Sequence, residues 1–222
     1  MWLIGRILAA LDERHATRTD PRLAALRQRT AGRATGDVLE IGPGTGANLP
    51  FYPPDVRLSV VEANSHMVAR LQRRAAALRL PLEVKIGRAE DLPYPSRAFD
   101  AVVATLVLCS VAEQGLVLAE VHRVLRPGGA FFFLEHVLSD DPAVRRWQRW
   151  VSPIRRPFAD GCCLDRDTAS AIRHGGFASV EIEEAQLPDV SPLARRVILG
   201  YAVAGSCHPG ISAGGPQPWN RS

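Results

Sequence analysis

Short apolar runs bounded by turn residues recur along the chain, and the apolar positions between them shift to a helical spacing. Val38, Leu39 and Ile41 form one such run, and Arg57 to Glu62 (RLSVVE) a second. Leu82 to Ile86, Phe99 to Ala104 and Ala130 to Leu134 continue the series, and Val180 to Ile182 and Val197 to Val203 close it. Runs this short and this apolar suit strands buried on both faces of a sheet. Between them, Met67, Val68, Leu71, Ala75 and Leu78 fall on one face of a helix, as do Val117, Val121, Val124 and Leu125. Asp20-Pro21 is a helix start, an N-cap followed by proline at the first helical position, and that helix runs to about Thr30. Asn64 or Ser65 caps the next helix. Asp141-Pro142 opens another that carries Trp147 and Trp150, and Asp165 is read as the cap of the helix that stops at Gly175-Gly176. Arg126-Pro-Gly-Gly129 turns the chain from helix into the fifth strand.

Strands alternating with helices predict an α/β fold of the doubly wound, Rossmann-like kind, a mostly parallel sheet covered by helices on both faces. A chain of 222 residues holds one such domain. The expected organisation is an N-terminal helical cap over residues 1–36, the sheet domain over 37–204, and a disordered tail rich in Gly, Pro and Ser over 205–222.

Charge and cysteines narrow the classes. The net charge of +4 is small and spread along the chain, with no basic block, so nucleic acid is not expected as a partner. Cys109, Cys162, Cys163 and Cys207 have neither zinc-pair spacing nor a C-x-x-C, so no metal is expected and the setting reads as reduced and cytoplasmic. Trp2, Leu3, Ile4, Ile7, Leu8 and Leu11 form an apolar helical stripe too short to span a bilayer. Packing over the domain or its active site is the simpler reading of residues 2–11. Contact with a membrane surface, which would make the protein peripheral, is the other. Nothing in the pattern speaks to oligomeric state.

The candidate chemistry gathers after the first strand. Glu40-Ile-Gly-Pro-Gly-Thr-Gly46 places glycines at 42, 44 and 46 around Pro43 and Thr45. Such a loop at the carboxyl edge of a parallel sheet lets backbone approach a nucleotide-like ligand, because no Cβ intervenes. Which nucleotide stays open at this point. Gly42-x-Gly44-x-x-Ala47 also fits the dinucleotide fingerprint, and Glu62 lies where its ribose-binding acid would.

Further segments agree in order and spacing: Ala89-Glu-Asp-Leu-Pro93 after the third strand, Phe99-Asp100 opening the fourth, and Leu125-Arg-Pro-Gly-Gly129 before the fifth. With the glycine loop and Glu62 they make the chain, from about Asp37 to Val203, resemble class I S-adenosylmethionine-dependent methyltransferases. The resemblance implies a seven-stranded sheet whose last strand is antiparallel. It implies that Gly42, Gly44 and Gly46 hold the methionine end of S-adenosylmethionine and that Glu40 sits near its ammonium group. Glu62 would take both ribose hydroxyls, Ala89 would offer its N–H to adenine with Glu90 beside the ring, and Thr105 and Leu106 would flank the methionine moiety. Pro43, Thr45, Asn48, Ala63, Asn64 and Met67 complete the expected cofactor set. Arg88 departs from the family, many of whose members carry an adenine-binding Asp there. Arginine cannot accept a hydrogen bond, so Arg88 reads as a solvated loop residue.

A closer resemblance rests on Thr105-Leu-Val-Leu-Cys-Ser-Val111, Phe132-Phe-Leu-Glu-His-Val137, Trp147 and Asp160-Gly-Cys-Cys-Leu164, followed by Arg166 and Thr168. These resemble methyltransferase-like proteins that include membrane-associated alkyl-thiol methyltransferases. The expected reaction is methyl transfer to a small, largely apolar acceptor, with a thiol as the leading candidate. The alternatives are C-, O- or N-methylation of a lipid-like, quinone or aromatic metabolite, a nicotinamide oxidoreductase, and a non-catalytic binding module. His136, just after the fifth strand, and Asp160 are the candidate catalytic residues. Trp147, Trp150 and Phe158 are read as walls of an apolar acceptor pocket. His122 is read as solvated, and Cys109, Cys162 and Cys163 as buried small residues.

Overall fold

The fold was analysed in a computed structural model, which describes residues 20–155, 163–187 and 190–205. The apolar stripe at residues 2–11, the candidate Asp160, Phe158 and the tail from 206 lie outside the described residues. No described helix is long and apolar enough to cross a membrane.

Seven strands form one sheet: β1 (Asp37–Ile41), β2 (Arg57–Glu62), β3 (Leu82–Ile86), β4 (Phe99–Thr105), β5 (Leu125–His136), β6 (Ser179–Gln186) and β7 (Arg196–Val203). Their spatial order is β3-β2-β1-β4-β5-β7-β6. β1 to β5 pair in parallel, and β7 runs antiparallel between β5 and β6. The expected seven strands with an antiparallel last one are therefore present. The helices are α1 (Pro21–Thr30), α2 (Ser65–Ala77), α3 (Gln114–Val124), α4 (Pro142–Arg155) and α5 (Thr168–Arg173).

Both sheet faces are covered, which is why the strands read as continuous apolar runs. On one face Leu39, Ile41, Phe131 and Phe133 pack with Val117, Leu118 and Val121 of α3. On the other, Val38, Val60, Val103 and Phe132 meet Leu71 and Ala75 of α2. Leu26 of α1 packs on Leu134 and Leu199 beside them. Arg29 binds Glu183 of β6 through two hydrogen bonds, tying α1 to the sheet.

Local chemistry sets the element ends. The Asp20 carboxylate accepts the Arg22 N–H, and the Asn64 side chain accepts the His66 N–H. The cap of α5 is Asp167, whose Oδ1 accepts the Ser170 N–H at 3.0 Å, and not Asp165 as the sequence suggested. β5 begins at Leu125, so the Arg126–Gly129 segment belongs to an irregular start of the strand instead of separating it from α3. The amino edge of the sheet is latched there: Arg126 binds Asp37 at 2.9 Å and Asp100 at 2.6 Å, and Arg57 also pairs with Asp37. Hydrogen bonds from Arg57 and Arg126 hold the Asp37 carboxyl down at about 2.

Candidate active site

A hollow of about 720 Å³ opens at the carboxyl edge of β1, β2 and β4, within the size range of small-molecule sites. The glycine loop forms its floor. Gly42 has φ +59° and Gly44 φ +57°. A Cβ on Gly42 would come within 2.7 Å of Val107 Cγ2, so only glycine lets the loop pass under the segment that follows β4.

Glu40, at the end of β1, is 2% exposed. Its two oxygens accept hydrogen bonds from Asn48 Nδ2 at 2.8 Å and from the Tyr52 hydroxyl at 2.9 Å. Asn48 also donates to Thr105 Oγ1 at 2.9 Å, and its own oxygen accepts from Arg27 Nη1 at 2.6 Å. Burial pushes the Glu40 carboxyl up to about 7, against the lowering effects of Tyr52, Asn48 and Arg27. The Tyr52 hydroxyl is pushed well above its ordinary value by burial and by Glu40.

Glu62, at the end of β2, is 6% exposed. It accepts the Gly44 N–H at 3.0 Å and the Asn64 N–H at 2.8 Å, so it clamps the glycine loop to the start of α2. Glu90 accepts the Ala112 N–H at 2.8 Å and pairs with Arg88 at 3.3 Å. Burial pushes its carboxyl up, but these backbone and arginine contacts outweigh that and hold it below the usual value. Arg88 is mostly solvent-exposed, as the sequence suggested.

Glu40, Gly42, Pro43, Gly44, Glu62, Ala63, Asn64, Met67, Ala89, Glu90, Thr105 and Leu106 all line the hollow. Thr45, Gly46 and Asn48 do not; all three are buried beneath it. Gly46 packs where a Cβ would strike Leu49 and Leu71, and Asn48 orients Glu40 from below. His136 sits at the end of β5, paired in register with Val197, and is not among the lining residues.

Two groups escaped sequence reasoning. Arg27 of α1 lines the hollow beside Glu40. Glu135, fully buried, accepts the N–H groups of Val107 and Leu108 at 2.9 Å each and of Cys109 at 3.3 Å. It thereby holds the wall that follows β4, where Leu106 takes a φ of +59°. Burial pushes its carboxyl up to about 7. An acid inside an apolar strand run was the available signal, since a buried carboxylate must be matched to donors.

The expected tryptophan walls, Trp147 and Trp150, are not among the described residues that line the hollow. Trp147 and Trp150 are 57% and 69% exposed, on the outer face of α4. α4 instead turns Gln148 and Ser152 inward, where loop backbone satisfies them. His122 is exposed, and Cys109 and Cys163 are buried thiols.

Known proteins resemble this chain in sequence and fold. Residues 39–133 match the methyltransferase domain family. The chain is 34% identical over 206 residues to the thiol S-methyltransferase TMT1A of Homo sapiens, a match covering 91% of this chain and 84% of that protein. The chain belongs to the S-adenosylmethionine-dependent methyltransferases. The human thiol S-methyltransferase TMT1B is 40% identical over 161 residues, covering 70% of this chain and just under two thirds, 66%, of that protein. The crystal structure of the YcgJ protein from Bacillus subtilis shares the fold at 18% identity, with a TM-score of 0.64 over 83% of this chain and 98% of its own.

The hollow of this methyltransferase fits its cofactor. S-adenosylmethionine is a nucleoside with a cationic sulfur and a zwitterionic amino-acid end, and it carries no phosphate. The site meets that charge pattern with two buried acids, Glu40 and Glu62, a cation at Arg27, a glycine-loop floor free of lysine and arginine, and a second cation, Arg88, that is paired with Glu90.

Proposed function

We propose that this methyltransferase acts on the sulfur of a small, largely apolar thiol. The bound cofactor supplies an electrophilic methyl group, and the chain supplies position. Glu40 would hold the cofactor's ammonium and Arg27 its carboxylate, with Asn48 setting the distance between those two side chains. Glu62 would accept from the ribose hydroxyls with the lone pairs left by Gly44 and Asn64. Ala89 and Glu90 would meet the adenine, and Leu106, held by Glu135 through its neighbours, would face the methionine end.

The observation that carries the thiol reading is the character of the wall formed by Leu106 to Ala112. Its side chains that line the hollow are Leu106, Val107, Ser110, Val111 and Ala112, none of them a base. Among the described residues, the carboxylates that line the hollow are engaged by backbone or polar donors, and the one histidine that lines it, His66, stands in the first turn of α2, outside that wall. A hydroxyl acceptor needs a positioned base, whereas a thiol reaches its thiolate near neutral pH unaided. Alignment and proximity then supply the acceleration. On this reading neither His136 nor Asp160 is required to take a proton from the acceptor. The thiol activity named for the two human relatives agrees with it.

The test is transfer of labelled methyl to a panel of alkyl thiols, phenols, amines and quinols. Label on thiols, with a rate that rises as pH approaches the thiol's pKa, is expected. Transfer to another class with no thiol labelled overturns the acceptor. Calorimetry with S-adenosylhomocysteine tests the cofactor assignments separately.

A further inference from the structure

Helix α4 buries two polar side chains and leaves its two tryptophans exposed. The two that it buries among the described residues are Gln148, at 1% exposure, and Ser152, at 4%, with Val144 and Val151 half-buried beside them. Gln148 accepts the Ser139 N–H at 2.8 Å and donates to the Leu193 carbonyl at 2.8 Å, and Ser152 Oγ accepts the Leu164 N–H at 3.2 Å. These bonds fix the helix with that face down. Outward it shows Trp147 and Trp150 in an edge-to-face pair with centroids 5.8 Å apart, flanked by exposed Arg146 and Arg149. The segment Pro142–Arg155 contains four arginines and no acidic residue. Two acids stand before it, and one of them, Asp140, is already bound by Arg196 at 2.9 Å.

We propose that this outer face of α4 rests on a membrane surface carrying anionic headgroups. A helix that pairs indole rings with arginines on one exposed side has the composition of an interfacial helix: the rings enter the headgroup boundary and the guanidinium groups meet lipid phosphate. The area speaks against a protein partner. The exposed parts of two indoles amount to about 300 Å², against the roughly 800 Å² that each side of a stable protein interface buries. A narrow stripe on a single helix suits a flat surface.

The location gives the contact a use. α4 lies beside the carboxyl edge of β5, next to the segment Val137–Ser139. The chain that receives Ser152 continues to Arg166, which donates to the Leu108 carbonyl at 3.1 Å and to that of Ala112 at 3.3 Å in the wall of the hollow. A membrane under α4 would therefore lie near the side from which an apolar acceptor enters. The contact itself does not depend on which acceptor is used.

The test is co-sedimentation of the full chain with vesicles of phosphatidylcholine alone and of phosphatidylcholine mixed with phosphatidylglycerol, at low and high salt. The wild type should bind the anionic vesicles more tightly, and salt should weaken the binding. R146Q/R149Q should lower that partition about thirtyfold, and W147A/W150A about tenfold or more on either vesicle. All four positions are exposed, so both variants should keep the wild-type melting temperature and the wild-type rate on a water-soluble acceptor. Wild-type partition in both variants, or no vesicle binding by the wild type, overturns the proposal. So does concentration-dependent self-association without lipid that W147A/W150A abolishes, which would make the face an interface between copies of this chain.

Discussion

Replacing Glu40 with Gln tests the site most directly, because it removes one charge and leaves the shape. Burial holds the Glu40 carboxyl up at about 7 in the ligand-free protein. The groups that face it are Tyr52, Asn48, Arg27 and Glu62, and of these only Arg27 is cationic. A ligand ammonium placed beside Glu40 favours the ionised form, so binding must release the proton wherever Glu40 is still protonated. About a tenth of Glu40 is ionised at pH 6 and about nine tenths at pH 8, if its pKa is about 7. Affinity for S-adenosylhomocysteine should therefore rise about tenfold between those two values, with a proton released per ligand at the acid end. Glu40→Gln should bind more weakly at pH 8 by about 1.5–3 kcal/mol, the range for a charged hydrogen bond, and should lose the slope. Calorimetry in buffers of differing ionisation enthalpy reads affinity and proton release together. Wild-type affinity that stays flat across this range, or a slope that survives in Glu40→Gln, refutes the reasoning.

Glu62→Gln can accept only one of the two N–H groups its carboxylate now takes, so it should destabilise the ligand-free fold by about 1–3 kcal/mol in denaturant titration. Gly42→Ala meets both a positive φ and Val107, and should cost about 1–2 kcal/mol of stability and weaken cofactor binding. Arg27→Met should weaken binding of S-adenosylhomocysteine at least about tenfold while changing binding of a decarboxylated analogue little; equal losses for both ligands would remove the carboxylate assignment. Glu40 and Glu135 both have carboxyls raised from 4.5 to about 7 by burial. Folded protein thus holds these protons more tightly than unfolded chain, and the stability they contribute is complete below about 4.5 and lost as pH rises through about 7. Melting temperature should fall across that window, and less steeply in Glu40→Gln.

The sheet was legible in the sequence because its strands are buried on both faces and read as unbroken apolar runs. The glycine loop and Glu62 were legible because the backbone there must bend without a Cβ and then meet an acid. The rest depended on contacts between distant segments. Arg27 reaches Asn48 from a helix ahead of the sheet, and nothing in its own neighbourhood marks it as polar machinery. Asp165 and Asp167 both precede the same helix, and only the position of the Ser170 N–H decides between them. The tryptophans of α4 were expected to face inward by the usual rule for apolar stripes. Carbonyl and amide groups of the neighbouring loops bind Gln148 and Ser152 instead, and the tryptophans stay exposed.

The glycine loop alone fitted a dinucleotide as well as a methyl donor, and the hydrogen bonds explain why the charge pattern decides. In a pyrophosphate-binding loop the backbone N–H groups point at the ligand's anionic oxygens. Here the Gly44 N–H is taken by the Glu62 carboxylate at 3.0 Å. A pyrophosphate over this loop would lose that donor and lie between Glu62 and Glu40, two acids it would repel. Similar pairing recurs around the hollow: Glu90 takes the Ala112 N–H, and Glu135 takes those of Val107, Leu108 and Cys109. Carboxylates at or just beyond strand ends thus satisfy loop donors that would otherwise attract an anion. The same residues stiffen the walls before any ligand arrives and leave a field that favours a cation at the centre. One set of hydrogen bonds accounts for both the rigidity of the site and its preference for a positively charged sulfur donor.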